Sequence, residues 1–237
     1  MPRILVVKTG EAFAHVAQRH GDFDALFINA MDLTPERVDI CPAYAVEQLP
    51  DASEYAGIVV TGSHAMVSDR EDWSERLGQW LVDVVHREKP LFAVCYGHQL
   101  LAHALGGEVG YHPQGPEMGT VDVSLSQNGQ RDPLFGLLPS RFRAQSTHYQ
   151  TVLRLPAEAQ VLASNAFEPH HAYRVGPCAW ATQFHPEFTA EVMSDYASAQ
   201  RAALEQKGLD VDAILSGIDA TTDAANLLRG FVRYTLD

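Results

Sequence analysis

This sequence predicts an α/β fold, a three-layer sandwich in which helices cover both faces of a mostly parallel central sheet. Three observations predict it. Short apolar runs recur at Arg3–Lys8 (RILVVK), Gly57–Thr61 (GIVVT) and Leu91–Val94 (LFAV), and each reads as a strand buried on both faces. Between the last two, Trp73, Leu77, Trp80, Leu81, Val84 and Val85 recur at three- and four-residue spacing, which marks an amphipathic helix over roughly Asp72–Arg87. Strand and helix alternating in this order favours parallel strands joined by crossovers. Beyond Gly107 the texture changes to period-two alternation at Val121–Leu125 and Arg141–Ala144, which adds antiparallel strands.

The remaining elements follow in order. Phe13, Val16 and Ala17 suit a helix within Glu11–His20, which Gly21 can stop, and Asp24–Met31 suits a second short helix. Asp32–Pro35 reads as a loop and Val38–Cys41 as a strand ended by Pro42. Residues 43–56 are polar and poorly periodic, a short helix or loop. Gln160–Ser164, Ala172–Arg174 and Cys178–Phe184 read as further strands, the last closed by His185-Pro186-Glu187. Thr189 can cap a helix running through Ala203, and Ala224, Leu227, Leu228 and Phe231 place a final helix within Thr221–Tyr234. With no internal repeat, low-complexity tract or clear linker, one domain over residues 1–237 is expected, with a helical tail at about 206–237.

Composition narrows the function classes. The net charge of −13, spread along the 237 residues, disfavours both a nucleic-acid footprint and attraction to an anionic membrane. No apolar run approaches membrane-spanning length, so no membrane association is expected. The opening MPRILVVKTG has no long apolar core and no small-residue cleavage site, so no signal peptide is expected. Three cysteines without CxxC spacing suit a reducing cytoplasm better than a disulfide framework or a cysteine zinc site. Eleven histidines invite a metal hypothesis, but His98 and His103 are five apart and no HExxH is present. No glycine-rich phosphate loop occurs either. Neither metal nor cofactor is expected.

The chemistry gathers at Lys89–Gly107, KPLFAVCYGHQLLAHALGG. Cys95 lies between a buried strand and a helix over Gln99–Leu105 closed by Gly106-Gly107, and so on a sharp turn. Such a turn presents sulfur at the strand's carboxyl end beside free backbone N–H groups. Gly97 permits the tight bend. This is the strand–nucleophile–helix elbow with sulfur in place of oxygen. Taken alone, a buried cysteine after a strand is most often inert core.

A cysteine nucleophile needs a base, and the base an orienting partner. His185 and Glu187, two apart on an extended segment, point to the same side and can supply both, with Pro186 stiffening the pair. Alone, this tripeptide better suits a surface turn after a strand. An oxyanion hole could be drawn from the N–H of Tyr96 and from Gly62-Ser63 at the tip of a neighbouring strand.

Together, VVTGSHAMV (Val59–Val67), FAVCYGHQLLAHALGG (Phe92–Gly107) and TQFHPEF (Thr182–Phe188), with STHYQTV (Ser146–Val152) between them, resemble the class I glutamine amidotransferase family. The likeness covers roughly residues 4–190. It implies the flavodoxin-like class I glutaminase fold. It also implies that Cys95 attacks the side-chain amide of glutamine, forming a thioester and releasing ammonia, after which water yields glutamate. His185 would shuttle protons, with Glu187 orienting it. By the same likeness Gln99 and the backbone around Thr147, His148 and Tyr149 would hold the glutamine.

Two features depart from the family pattern. Gly62-Ser63-His64 stands where Gly-Gly-Pro is usual, although Ser63 keeps its N–H for the hole. No synthetase or acceptor domain is expected beyond the glutaminase-like unit and its helical tail. Free-standing members similar in this respect include γ-glutamyl peptidases, which cleave γ-glutamyl bonds in glutathione-like compounds. Three expectations therefore stand: an ammonia-supplying glutaminase serving a separate synthetase, a stand-alone γ-glutamyl hydrolase, or a non-catalytic binding relative.

Overall fold

The computed structural model describes residues 2–236. The chain opens with β1 (Ile4–Lys8), α1 (Ala14–His20), α2 (Phe23–Met31), β2 (Val38–Pro42) and β3 (Gly57–Val60). Then come α3 (Asp72–His86), β4 (Leu91–Val94), α4 (Tyr96–Ala104), β5 (Glu108–Tyr111), β6 (Glu117–Leu125) and α5 (Gln127–Arg131). The strands β7 (Arg141–His148), β8 (Gln150–Arg154), β9 (Gln160–Ser164), β10 (Ala172–Val175) and β11 (Ala179–Thr182) follow. Four helices close the described chain: α6 (Ala190–Ala199), α7 (Arg201–Gln206), α8 (Val211–Gly217) and α9 (Thr222–Leu236).

Nine strands form one sheet in the order β2-β1-β3-β4-β11-β10-β9-β6-β7, and β5 and β8 pair separately. The first five are parallel and the rest antiparallel. The apolar runs in the parallel half have a direct cause. Ile4, Val6, Val59, Phe92 and Val94 pack on one face with Phe27 and Met31 of α2 and with Leu227, Leu228 and Phe231 of α9. Their neighbours Leu5, Val7, Ile58, Val60, Leu91 and Ala93 pack on the other, with Leu77 and Leu81 of α3 and Leu100 of α4. Successive side chains point to opposite faces, and both faces are covered, so each position must be apolar.

The structure adds to and alters the reading from sequence. Helix α4 begins at Tyr96, three residues before Gln99, and Cys95 is its N-terminal flanking residue. The small β5–β8 sheet was not anticipated. Its strands are short, and a register shift at Glu108/Val109 breaks their alternation. The helix capped by Thr189 stops at Ala199 rather than continuing through Ala203, because the chain leaves helical geometry at Gln200 (φ −94°, ψ 4°) before α7. Helix α9 is no appendage. It forms part of one helix layer, so close to β3 that a β-carbon at Gly57 would lie 2.7 Å from Thr235 Cγ2. Burying side chains the size of Leu227, Leu228 and Phe231 contributes about 1.5–3 kcal/mol each. No helix among the described residues is long and apolar enough to cross a membrane.

Candidate active site

Strand β4 lies between β3 and β11, so whatever follows its last residue is flanked by the ends of two parallel neighbours. Cys95 follows at φ 50°, ψ −97°, a backbone conformation costing a non-glycine residue on the order of 1–3 kcal/mol. The turn is held from both sides. The Cys95 N–H donates to the Thr182 carbonyl at the end of β11 (2.7 Å), and the Gln99 N–H donates to the Cys95 carbonyl (3.0 Å). A β-carbon at Gly97 would lie 2.9 Å from Val60 Cγ1 and 3.0 Å from Val60 O, so only glycine lets α4 start this close to β3. Tyr96 opens the helix, where backbone N–H groups have no intrahelical acceptor. The sulfur lies 3.7 Å from the Thr147 carbonyl.

His185 reaches the same point from beyond β11. Its N–H donates to the Gln145 carbonyl of β7 (2.8 Å), and its Nδ1 donates to Glu187 Oε1 (2.7 Å). The contact is made across a turn, closed by the Phe188 N–H donating to the His185 carbonyl (3.3 Å), and not along the extended segment the spacing suggested. Nε2 is buried, carries no other hydrogen bond among the described residues and lies beside the Cys95 sulfur. Burial works to lower the ring's pKa, but the charges on Glu187 and Cys95 more than offset it and raise the pKa to about 10. The ring stacks on Phe188 at 4.3 Å.

The third side is the loop after β3. The Thr9 hydroxyl is within hydrogen-bond distance of the carbonyls of Thr61 (3.0 Å) and Gly62 (2.8 Å), which pins the loop to the end of β1. A β-carbon at Gly62 would come within 3.0 Å of His185 Cε1 and 3.6 Å of Cys95 Cβ. Any side chain there would press on the His185 ring. The Ser63 Oγ accepts from the Ala65 N–H (3.0 Å) and has room because position 10 is glycine, where a β-carbon would lie 2.6 Å away. The neighbouring His64 ring stacks on Phe13 at 4.2 Å.

These elements surround a cavity of about 190 Å³. Of the residues singled out from sequence, Ser63, Cys95, Tyr96, Gln99, Thr147, His148, Tyr149 and His185 line it. Gly62, beside the His185 ring and the Cys95 β-carbon, and Glu187, on the far nitrogen of that ring, are not among the cavity's lining residues. The Gln99 amide is partly committed, since its Nε2 donates to the Gln150 carbonyl (2.7 Å) and to Gln183 Oε1 (2.9 Å). His148 is held on both nitrogens, with Nδ1 2.9 Å from the Gln150 carbonyl and Nε2 3.3 Å from Glu117 Oε2. The sequence reading missed Gln150, the aromatic wall of Phe13, Phe23 and Tyr196, and Gln200 at the α6–α7 break. Only the departure at His64 pointed towards that wall. No group of three or more His, Cys, Asp or Glu side chains among the described residues is arranged to hold a metal ion.

The sequence pattern of the family described as glutamine amidotransferase class-I matches residues 26–201. The chain belongs to the class I glutamine amidotransferase family. A glutamine-hydrolysing GMP synthase of Aeropyrum pernix is 35% identical over 203 residues, which cover 83% of this chain and 36% of that protein. This chain thus spans little more than a third of that relative's length. Gamma-glutamyl peptidase 3 of Arabidopsis thaliana is 25% identical over 184 residues, covering 75% of this amidotransferase-family chain and 74% of the peptidase. In fold, the chain is similar to a glutamine amidotransferase of Thermotoga maritima, with a TM-score of 0.77 at 20% identity over 100% of this chain and 98% of that one. The two share the α/β architecture of the family's enzymes, a large mixed sheet with a parallel core flanked by helices.

Proposed function

We propose that this chain hydrolyses a γ-glutamyl amide through a thioester on Cys95. Glutamine is the substrate, ammonia the first product, and a separate synthetase the consumer of that ammonia. The observation that carries this reading is the geometry at the elbow. Cys95 is held in a strained turn beside the free Nε2 of His185, whose Nδ1 is held by Glu187 at 2.7 Å. His185 takes the thiol proton, and the charge on Glu187 favours its doing so. The sulfur bonds to the amide carbon, and the carbonyl electron pair moves onto oxygen, facing the N–H groups of Tyr96 and of the Gly62-Ser63 loop. Collapse breaks the C–N bond, and the leaving nitrogen takes the proton from His185. Water then adds to the thioester carbon, giving a proton to His185. The C–S bond breaks, glutamate leaves, and sulfur recovers its proton.

In this reading Gln99 and the Thr147–Tyr149 segment hold the glutamyl part. The three cysteines, all free and buried, favour a cytoplasmic setting, and residues 1–237 work as one domain. A second reading, a stand-alone γ-glutamyl hydrolase, is favoured by the aromatic wall of the cavity, which ammonia does not need.

The test is mass spectrometry of the intact protein with a glutamine-mimicking electrophile, alongside glutamate release from glutamine. One adduct, at Cys95, is expected, and Cys95→Ala should abolish both labelling and turnover with the fold intact by circular dichroism. An unlabelled Cys95 would leave only a non-catalytic binding role, and full activity in the variant would overturn the thioester on Cys95.

A further inference from the structure

The chemistry sets which end of the cavity receives each part of a substrate. His185 protonates the leaving nitrogen, so the amine departs on the side of the His185 ring. That side is aromatic. Phe188, stacked on His185, packs on Tyr196 at 4.8 Å. Tyr196 packs on Phe13 at 5.1 Å, and His64 stacks on Phe13 at 4.2 Å with its planes 25° apart. Phe13, His64 and Tyr196 line the same cavity as Cys95. They descend from the rim inwards: His64 is exposed, Phe13 half-buried and Tyr196 buried. The Tyr196 hydroxyl has no hydrogen-bond partner among the described residues. Gln99, Thr147, His148 and Gln150, which also line the cavity, are polar and suit the charged α-amino and carboxylate groups of a glutamyl unit. Ammonia has no apolar surface to bury, so a shelf of three rings does nothing for its release. A flat apolar group attached to the leaving nitrogen would cover the shelf and stack on it.

We propose that Phe13, His64 and Tyr196 form the leaving-group subsite of this enzyme, and that its preferred substrates are γ-glutamyl amides of amines bearing an aromatic group. This rests on the thioester reading above and takes its hydrolase form. The bonds made and broken are those already written, with the aromatic amine in place of ammonia.

The experiment compares kcat/KM for γ-glutamyl-benzylamide, γ-glutamyl-methylamide and glutamine, using the full chain alone. The benzylamide is expected to exceed the methylamide at least tenfold. His64→Ala, which removes an exposed ring and leaves the core untouched, should cut that ratio at least threefold, and Phe13→Ala should cut it further. Two results overturn the subsite and leave the thioester chemistry standing: a benzylamide no better than the other two while those are turned over, or a preference unchanged in both variants. Failure to turn over any of the three also overturns it. A Cys95 that the electrophile still labels would then preserve the thioester reading, and an unlabelled Cys95 would end both.

Discussion

Two buried glutamates in this molecule each hold histidine, and the two assemblies differ in what the second ring nitrogen meets. Glu187 takes Nδ1 of His185, and the other nitrogen is left bare beside the Cys95 sulfur. Glu117 lies 3.3 Å from Nε2 of His148 and 3.1 Å from Nε2 of His171, and it also accepts from Ser146 Oγ (2.7 Å) and Asn165 Nδ2 (2.9 Å). His148 spends its remaining nitrogen on the Gln150 carbonyl. A histidine with both nitrogens committed cannot exchange a proton with a substrate without breaking a buried contact. A histidine with one nitrogen free can. The difference lies in the neighbours, since both pairings are buried and both join the same two residue types. Burial alone would raise the Glu117 carboxyl's pKa, but the contacts from His148 and His171 hold it far below the usual carboxylate range. Glu117 is thereby a fixed charge that ties β6 and β7 to the segment joining β9 and β10.

The comparison can be broken most severely at His185. Replacing it with alanine should lower kcat by about 10²–10⁴, the usual contribution of a general base, in a chain that still folds by circular dichroism although it is less stable for leaving Glu187 without its partner. Loss of fold in place of loss of rate would place His185 with His148 as a structural group.

Glu187→Gln comes next. Glutamine keeps an oxygen acceptor for Nδ1–H but removes the charge, and kcat should fall by less than in His185→Ala, because the ring itself remains. The same variant carries a stability signature. Because the folded pKa of His185 is raised from the ordinary value near 6.5 to about 10, its contribution is complete below about pH 6.5 and is lost as pH rises towards 10. The Tm gap between the native chain and Glu187→Gln should therefore be widest near pH 6 and narrow on the alkaline side. A gap independent of pH would contradict a charged His185.

The smallest effect on rate is expected at Glu117→Gln. It should cost about 1–3 kcal/mol of stability by urea unfolding while leaving kcat within a few-fold of native. With the sign reversed from His185, a carboxylate whose folded pKa is depressed stabilises above its unfolded value. That advantage over the glutamine variant should shrink only in acid, as pH falls below about 4.3. A collapse in kcat without loss of stability would mean that His148 takes part in proton transfer after all.

How much was legible in the sequence differs between the two glutamate assemblies. His185 and Glu187 are two residues apart, so their meeting could be inferred from local geometry, although a turn and not an extended strand brings them together. Glu117 meets residues 29 or more positions away, and nothing in its own surroundings distinguishes it from a strand-edge glutamate. The aromatic shelf was hidden for the same reason. Phe13 precedes α1 and Tyr196 lies in α6, and both read locally as ordinary amphipathic positions, while His64, after β3, stood out only as a departure from the family pattern. The β5–β8 pair and the break at Gln200 escaped because short, irregular elements leave little periodicity to detect.

By itself, the sequence determined the double-faced apolar strands of the parallel half, the elbow that carries Cys95, and the pairing of His185 with Glu187. These depend on which faces are buried and on residues close along the chain, and periodicity and spacing report both. The tertiary structure alone decided that β11 inserts beside β4 so that Thr182 holds the Cys95 N–H. It likewise decided that α9 completes a helix layer and that Phe13, His64 and Tyr196 meet in the wall of the cavity that Cys95 lines. Those outcomes follow from the order in which strands join the sheet and from how helices pack across its edge. They are free energies summed over many contacts between distant parts of the chain, and no local pattern encodes them.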